Sequence, residues 1–274
     1  MLNALTIDVE DYYQVENFAG VVKRSEWEKL ESRVVRNARR ILDILAEHGT
    51  KATFFVLGWV AERHPELVTE IDAAGHEIAT HGYAHELVYS QSREEFAKDL
   101  ALSITAIEKI INKKVIGYRA PSCSITKDSL WAFDIIKKAG LRYDASIFPI
   151  HHDRYGIPDA KRYVHRWDDT GLVEFPFSTL RVAGHNIPVA GGGYFRLYPY
   201  AITKWAIARI NRDGYPAMVY VHPWEFDQDQ PRIKVGRLAG FRHYVGIASN
   251  EKKLRRLLGD FKFGTVREIL GIDR

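Results

Sequence analysis

Gly75-His76-Glu77-Ile78-Ala79-Thr80-His81-Gly82-Tyr83-Ala84-His85-Glu86 is the stretch on which the reading of the fold turns. Gly75 reads as the stop of a helix, and Glu77-Ile78-Ala79-Thr80 as a short buried strand with His81 and His85 at its carboxyl end. Four residues apart on one helical turn, two side chains point the same way. Two imidazoles so placed can hold one divalent metal, with nitrogens at roughly 2.0–2.1 Å. In a chain with 11 histidines the spacing is unremarkable by itself. Its position selects the metal reading, because α/β folds gather their chemistry at the carboxyl ends of strands. Three protein ligands and one open position make a metal catalytic rather than structural, so the remaining strand ends should supply a carboxylate ligand, a base and an acid.

Outward from that stretch, strand-like and helix-like segments alternate. Residues 2–7 read as a strand ending at Asp8. A helix over 32–48 carries Val35, Ala38, Leu42 and Leu45 at 3-4-3 spacing and stops at Gly49. A strand over 52–57 follows, and Pro65 opens a short helix that ends near Gly75. Ser92 and Glu95 form a capping-box pattern ahead of a helix faced by Phe96, Leu100, Ile104, Ile107 and Ile111. Residues 116–119 read as a strand end, 126–138 as a helix closed by Gly140, and 141–143 as the approach to Asp144. Between 150 and 198 the pattern loosens: His151–Gly156 and Gly191–Arg196 read as loops, and Glu174-Phe175-Pro176-Phe177 as an edge strand. The spacing then predicts a helix over 200–211, a strand over 217–221 ending at His222, a helix over 249–261 and a last strand over 264–269. Repeated strand–helix units without a linker predict an α/β fold with a parallel sheet or a barrel.

Composition narrows the function classes. Apolar residues make up 46% of 274, enough for a large core, and the net charge of +4 is spread along the chain rather than clustered. With no basic block or zinc-finger pattern, nucleic acid is not an expected partner. Cys123 is the sole cysteine, so no intrachain disulfide forms, and it reads as a packed, inert thiol. No segment has the roughly 20 apolar residues of a membrane span. The N-terminus lacks a signal-peptide pattern, so the expected location is cytoplasmic. The absence of Gly-x-Gly-x-x-Gly, Gly-Lys-Ser/Thr and Gly-x-Ser-x-Gly patterns weighs against dinucleotide, nucleoside-triphosphate and serine-hydrolase chemistry.

Polar groups recur at the predicted strand ends: Asp8-Val9-Glu10-Asp11, then His81 and His85, Arg119 before Ala120-Pro121, Asp144, and His222 before Pro223-Trp224-Glu225. Each alone has a structural reading as a turn cap, a surface ion pair or a core histidine. A barrel would bring all five ends to one mouth.

In this order the motifs resemble those of polysaccharide deacetylases of the NodB-homology type, carbohydrate esterase family 4, from Leu5 to about His222. More closely, 8–15, 143–149 and His152-Asp153-Arg154-Tyr155-Gly156 resemble the branch encoded beside exosortase (PEP-CTERM) exopolysaccharide loci. The resemblance implies a distorted (β/α) barrel of about seven parallel strands. It also implies one domain over 1–274, in which about 225–274 forms a C-terminal extension packed on the barrel. It implies a divalent metal, usually zinc, and hydrolysis of an N-acetyl group on a glycan. Asp8 matches the general base, His81 and His85 the metal ligands, and Arg119 the partner of the base. Asp144 matches the carboxylate that orients the catalytic histidine, and His222 the general acid.

The sequence departs from the family pattern at Val9, which stands where a ligand aspartate is usual and cannot bind metal; the third ligand is then Glu10 or Asp11. Tyr220 replaces a leucine that commonly lines the acetyl pocket. Ser122 replaces a tyrosine after Pro121, a change that need not matter if its backbone N–H serves the oxyanion. Tyr12, Tyr13, Tyr194, Phe195 and Trp224 are candidates to stack on sugar, and Arg154, Arg181 and Arg196 to reach acidic groups. Two other functions fit the same residues: a hydrolase of small amides or cyclic ureides, and a glycan-binding module that has lost catalysis.

Overall fold

The computed structural model describes residues 1–167, 169–189 and 191–272. β1 (Leu2–Val9) is buried from Asn3 onward, as expected of a strand covered on both faces. Successive side chains leave a strand on opposite sides. Leu5, Ile7 and Val9 join the large cluster beneath the helices, whereas Ala4 joins a second cluster with Phe55, Ala79, Met218 and Tyr220. Thr6 and Asp8 share the parity of Ala4, which sends them to that second side.

The chain continues through α1 (Val34–Glu47), β2 (Thr53–Val56), α2 (Gly58–Arg63), α3 (Pro65–Ala73), β3 (Glu77–Thr80), α4 (Arg93–Ile111), β4 (Gly117–Tyr118), α5 (Ala132–Lys138) and β5 (Tyr143–Asp144). The Ser92–Glu95 capping box forms as expected, with both reciprocal hydrogen bonds. On α1 the buried stripe is Val34, Ala38, Ile41 and Leu45, with Val35 and Leu42 at its margin. Then come β6 (His165–Arg166), β7 (Val173–Glu174), a hairpin of β8 (Thr179–Val182) and β9 (His185–Pro188), α6 (Gly192–Leu197), α7 (Tyr200–Arg212), β10 (Met218–Val221), α8 (Arg237–Tyr244), α9 (Ile247–Asp260), β11 (Lys262–Gly264) and α10 (Val266–Leu270).

The main sheet runs β10-β1-β2-β3-β4-β5-β7-β6. Among the described residues the first seven strands are mutually parallel, β6 returns antiparallel to β7, and β11 adds a parallel pairing to β1. The sheet curls. Three strand spacings separate β4 from β1, about 14 Å if the sheet were flat. Yet Arg119, just after β4, donates through Nη1 to Thr6 Oγ1 at 2.7 Å and through Nη2 to Met218 Sδ at 2.8 Å. Phe177, beyond β7, lies 4.7 Å ring to ring from Tyr220 in β10. The expected α/β fold, a distorted barrel, is therefore the observed one. No helix among the described residues is long and apolar enough to cross a membrane.

Four local expectations need correction. β7 is not an edge strand, since it lies between β5 and β6; Pro176 falls past the paired residues. The stretch from Gly191 does not remain a loop but opens α6. A Cβ on Gly191 would sit 2.0 Å from the Tyr220 ring, so the backbone there approaches as only glycine permits. The last predicted strand ends at Gly264, where Thr265 caps α10 by accepting from the Glu268 N–H. Finally, His81 and His85 do not share a helical turn. They sit in a loop with Gly82 and His85 at positive φ, closed by Asp99, which accepts from the N–H groups of Tyr83 and Ala84.

Candidate active site

Strand alternation carries past the end of β1. Asp8 and Glu10 reach the mouth of the barrel, while Val9 packs under the helices and Asp11 turns toward α1. In this chain Val9 therefore faces away from the site, and Glu10 faces it. One ligand atom each from Glu10, His81 and His85 lie within 4.8 Å of one another, and all three residues are buried.

Donor chemistry supports a metal at this group. His81 Nδ1 lies 2.8 Å from the Arg119 carbonyl, which only a protonated Nδ1 can satisfy; the Nε2 lone pair is left free. Burial lowers the His81 pKa to about 4, keeping the ring neutral. Trp224 Nε1 donates to Glu10 Oε1 at 3.0 Å. The other oxygen, Oε2, lies 2.7 Å from His85 Nε2 but has no aligned hydrogen-bond partner, as two ligand atoms aimed at a common ion would not. Without a cation the two act as an ion pair. Burial works against charge on both, but their mutual attraction outweighs it, raising the His85 pKa and lowering that of Glu10 to about 2.

Asp11, the alternative third ligand, is committed elsewhere. Its Oδ2 accepts from Ser32 Oγ at 2.8 Å and from the N–H groups of Arg33 and Val34 at 2.8 and 3.2 Å, while Oδ1 accepts from the Tyr12 N–H. It caps α1 from outside the helix, whose own N-cap residue, Arg33, makes no side-chain cap. Asp11→Ala should therefore cost about 0.5–2 kcal/mol of stability, the usual value of a lost cap. If Glu10 is the third ligand, Asp11→Ala keeps the divalent-metal content of the wild type and Glu10→Ala loses it. Metal analysis after dialysis reads both, and metal loss confined to the Asp11 variant would reverse the assignment.

Beside this group, Arg119 Nη1 donates to Asp8 Oδ1 at 2.6 Å, and Arg119 Nε donates to the Ala145 carbonyl at 3.1 Å. The guanidinium is fully buried, 4.1 Å below the Phe55 ring. His222 Nε2 faces both carboxylates, 3.8 Å from Asp8 Oδ2 and from Glu10 Oε1. Burial disfavours a charged His222 ring, but Glu225, then Glu10 and Asp8, outweigh it and lift its pKa to about 9.

Asp144 does not orient His222. At the end of β5 it makes no hydrogen bond or ion pair with His222 among the described residues and instead accepts from the hydroxyl and N–H of Ser146 at 2.7 and 2.9 Å. The same hydroxyl accepts from the Ala120 N–H at 2.7 Å, so Asp144 braces the backbone that presents Arg119. The residue against His222 Nδ1 is Glu225, at 3.3 Å. It is fully buried and also accepts from the His222 N–H at 3.0 Å and from Arg196 Nε at 2.8 Å. Sequence reading missed it, although His222-Pro223-Trp224-Glu225 has proline at the first helical position and an acid three residues after the cap. Trp224 stacks on the His222 ring at 5.3 Å, so one indole steadies both Glu10 and His222.

These groups floor a cavity of about 390 Å³. Tyr194, Trp224, Arg154 and Arg196 of the suggested glycan-contacting residues line it. Tyr12, Tyr13 and Phe195 are core residues, and Arg181 lies on the exposed hairpin. Cys123 lines the cavity too, but burial pushes its thiol up, away from the reactive thiolate.

A family model described as polysaccharide deacetylase matches residues 30–143, and one described as a domain of unknown function (DUF3473) matches 145–271. A peptidoglycan-N-acetylglucosamine deacetylase of Bacillus cereus is 30% identical over 178 residues, 64% of this chain and 76% of its own. A chitooligosaccharide deacetylase of Rhizobium leguminosarum bv. trifolii is 30% identical over 112 residues, 41% of this chain and 48% of its own. Against several curated relatives the chain spans half their length or less. A Mycobacterium smegmatis structure described as a polysaccharide deacetylase superposes with a TM-score of 0.64 at 23% identity, over 98% of this chain and 88% of that one; at that identity the likeness concerns the fold.

Proposed function

Because this chain belongs to the polysaccharide deacetylase family, we propose that it is a metal-dependent hydrolase that removes N-acetyl groups from a glycan as acetate. The observation that carries this reading is the gathering of Asp8 and His222, 3.8 Å apart, beside a Glu–His–His group at one cavity floor. Glu10, His81 and His85 would hold the metal, and we assign zinc on the donor set. When bound, such an ion polarises the amide carbonyl and makes water acidic enough to attack near neutral pH.

The chain's own residues do the rest. Asp8 accepts the proton of the attacking water, and the charge-assisted hydrogen bond from Arg119 holds that carboxylate in place. The Ser122 N–H, at φ +51 on the cavity wall, is our candidate donor to the oxyanion, a contact worth roughly 3–4 kcal/mol. His222 gives its Nε2 proton to the departing nitrogen as the C–N bond breaks, so that acetate and a free amine result. Glu225 holds the imidazole from the other side.

We treat residues 1–272 as one folded unit; support comes from β10 and β11, which both pair with β1 and so join the two family-model segments in one sheet. The polymer class we assign is the exopolysaccharide of exosortase loci, on the motif resemblance at 143–149 and 152–156. We assign the cytoplasm as compartment, on the single buried cysteine. An inactive binding module is the weaker reading, since Glu10 would take the ligand role that Val9 cannot.

The test is acetate release from chitohexaose by zinc-loaded protein. Turnover that disappears with chelator and returns with zinc is the expected result. A zinc-loaded protein that binds oligosaccharide but frees no acetate would sink the enzyme reading, and turnover confined to cyclic ureides would replace it with the small-amide one.

A further inference from the structure

One wall of the cavity takes no part in the mechanism above. It comes from a loop over 148–157 that closes on itself: the N–H groups of Ile150 and Ile157 both donate to the Phe148 carbonyl, at 2.8 and 2.9 Å. Gly156 has φ +99, and a Cβ there would lie 2.3 Å from the Ile150 carbonyl oxygen, so this turn admits only glycine. The rings of Phe148, Tyr155 and His152 stack in sequence, with Tyr155 and His152 3.8 Å apart. The Arg154 N–H donates to His152 Nδ1 at 3.2 Å. Arg242 of α8 pairs with Asp153 at 3.3 Å and ties the loop to the C-terminal segment.

This ordered loop presents Arg154 to the cavity. Three arginines line that space, and two are spoken for. Arg196 is bound by Glu225 and by the carbonyls of Arg242, His243 and Val245; Arg242 is bound by Asp153. Arg154 donates through Nη2 to Asn17 Oδ1 at 3.1 Å, a neutral acceptor, while its Nε is buried with no acceptor at all. Among the described residues no carboxylate lies within ion-pair distance of it. A half-buried guanidinium without a counter-ion has the planar donor fork that matches an oxyanion pair, and the loop fixes it before any ligand arrives.

We propose that Arg154 selects the substrate by pairing with the carboxylate of an acidic sugar that neighbours the acetamido sugar in the cavity. The substrate class is then an anionic, uronate-bearing glycan rather than a neutral one. The proposal rests on the deacetylase reading for what happens to the bound sugar, but recognition is measurable without turnover.

The probes are a hyaluronan hexasaccharide, in which N-acetylglucosamine alternates with glucuronate, and the same oligosaccharide with its carboxylates reduced to alcohols. Calorimetry of the zinc-loaded protein at low salt should show the charged form binding at least about tenfold more tightly, with the advantage shrinking as salt rises. Arg154→Gln should bring the ratio of the two affinities close to one, and Arg154→Lys should restore part of it, which a merely structural role for the side chain would not produce. Equal or absent binding of the two forms by the wild-type protein overturns the proposal, as does a ratio that survives in Arg154→Gln. Acetate release from the charged hyaluronan hexasaccharide by the zinc-loaded wild type is scored separately, so failure of the enzyme reading and failure of carboxylate recognition give different results.

Discussion

Asp8→Asn is expected to lower acetate release by about 10³-fold, within the 10²–10⁴ that a positioned base contributes, with metal content at the wild-type level. The amide keeps an oxygen to accept from Arg119, so the geometry survives, but it cannot take a proton from water. Because the Glu10, His81 and His85 side chains are untouched, the metal should remain. Arg119, fully buried, then faces a neutral partner, and we expect a loss of about 1–3 kcal/mol in stability. Steady-state acetate assay, metal analysis and thermal melting on one preparation separate the three effects. Wild-type turnover in this variant would remove Asp8 from the mechanism.

Glu225→Gln is the second large effect. Glu225 receives Arg196 on one side and His222 on the other, at 2.8 and 3.3 Å, and no part of it is exposed. A glutamine no longer balances the imidazolium and can present an N–H to Nδ1, which favours the wrong tautomer. Comparable substitutions behind a catalytic histidine cost about 10²–10⁴ in turnover. It also strips the carboxylate from a buried guanidinium, a loss of about 3 kcal/mol, softened by the backbone carbonyls that still hold Arg196. Asp144→Asn is the discriminating partner. Its amide oxygen can still accept from one of the two Ser146 donors, so turnover should stay within about threefold of wild type. The reverse pattern, a silent Glu225 variant and a dead Asp144 variant, would return the orienting role to Asp144.

These two variants mark where sequence reading stopped. The strands, most of the helices and the positions of Asp8, His81, His85, Arg119 and His222 at strand ends followed from periodicity, caps and glycine stops, because those signals are local. The HPWE turn was equally local and could have been read. Nothing in the linear pattern said that Glu225, three residues from His222, would outcompete a strand-end aspartate; that depends on the partners each acid meets in the folded chain, Ser146 for Asp144 and Arg196 with His222 for Glu225. The His81–His85 pair was found for the right spacing and the wrong conformation. A loop closed by Asp99, not a helical turn, brings the imidazoles together.

By itself the sequence determined the alternating strand–helix order and the carboxyl-end positions of the polar groups; it left Glu10 and Asp11 as equal candidates for the third ligand, because β1 ends at Val9 and strand period does not extend past it. The tertiary structure alone decided what each group meets. Curling of the sheet carries Arg119 under Asp8, α1 draws Asp11 to its unsatisfied N–H groups, and the loop over 148–157 leaves Arg154 on the cavity wall with no ion-pair partner among the described residues. The physical reason is range: backbone periodicity and capping act over a few residues, whereas partners for buried charges are chosen among groups that only the folded chain brings within reach.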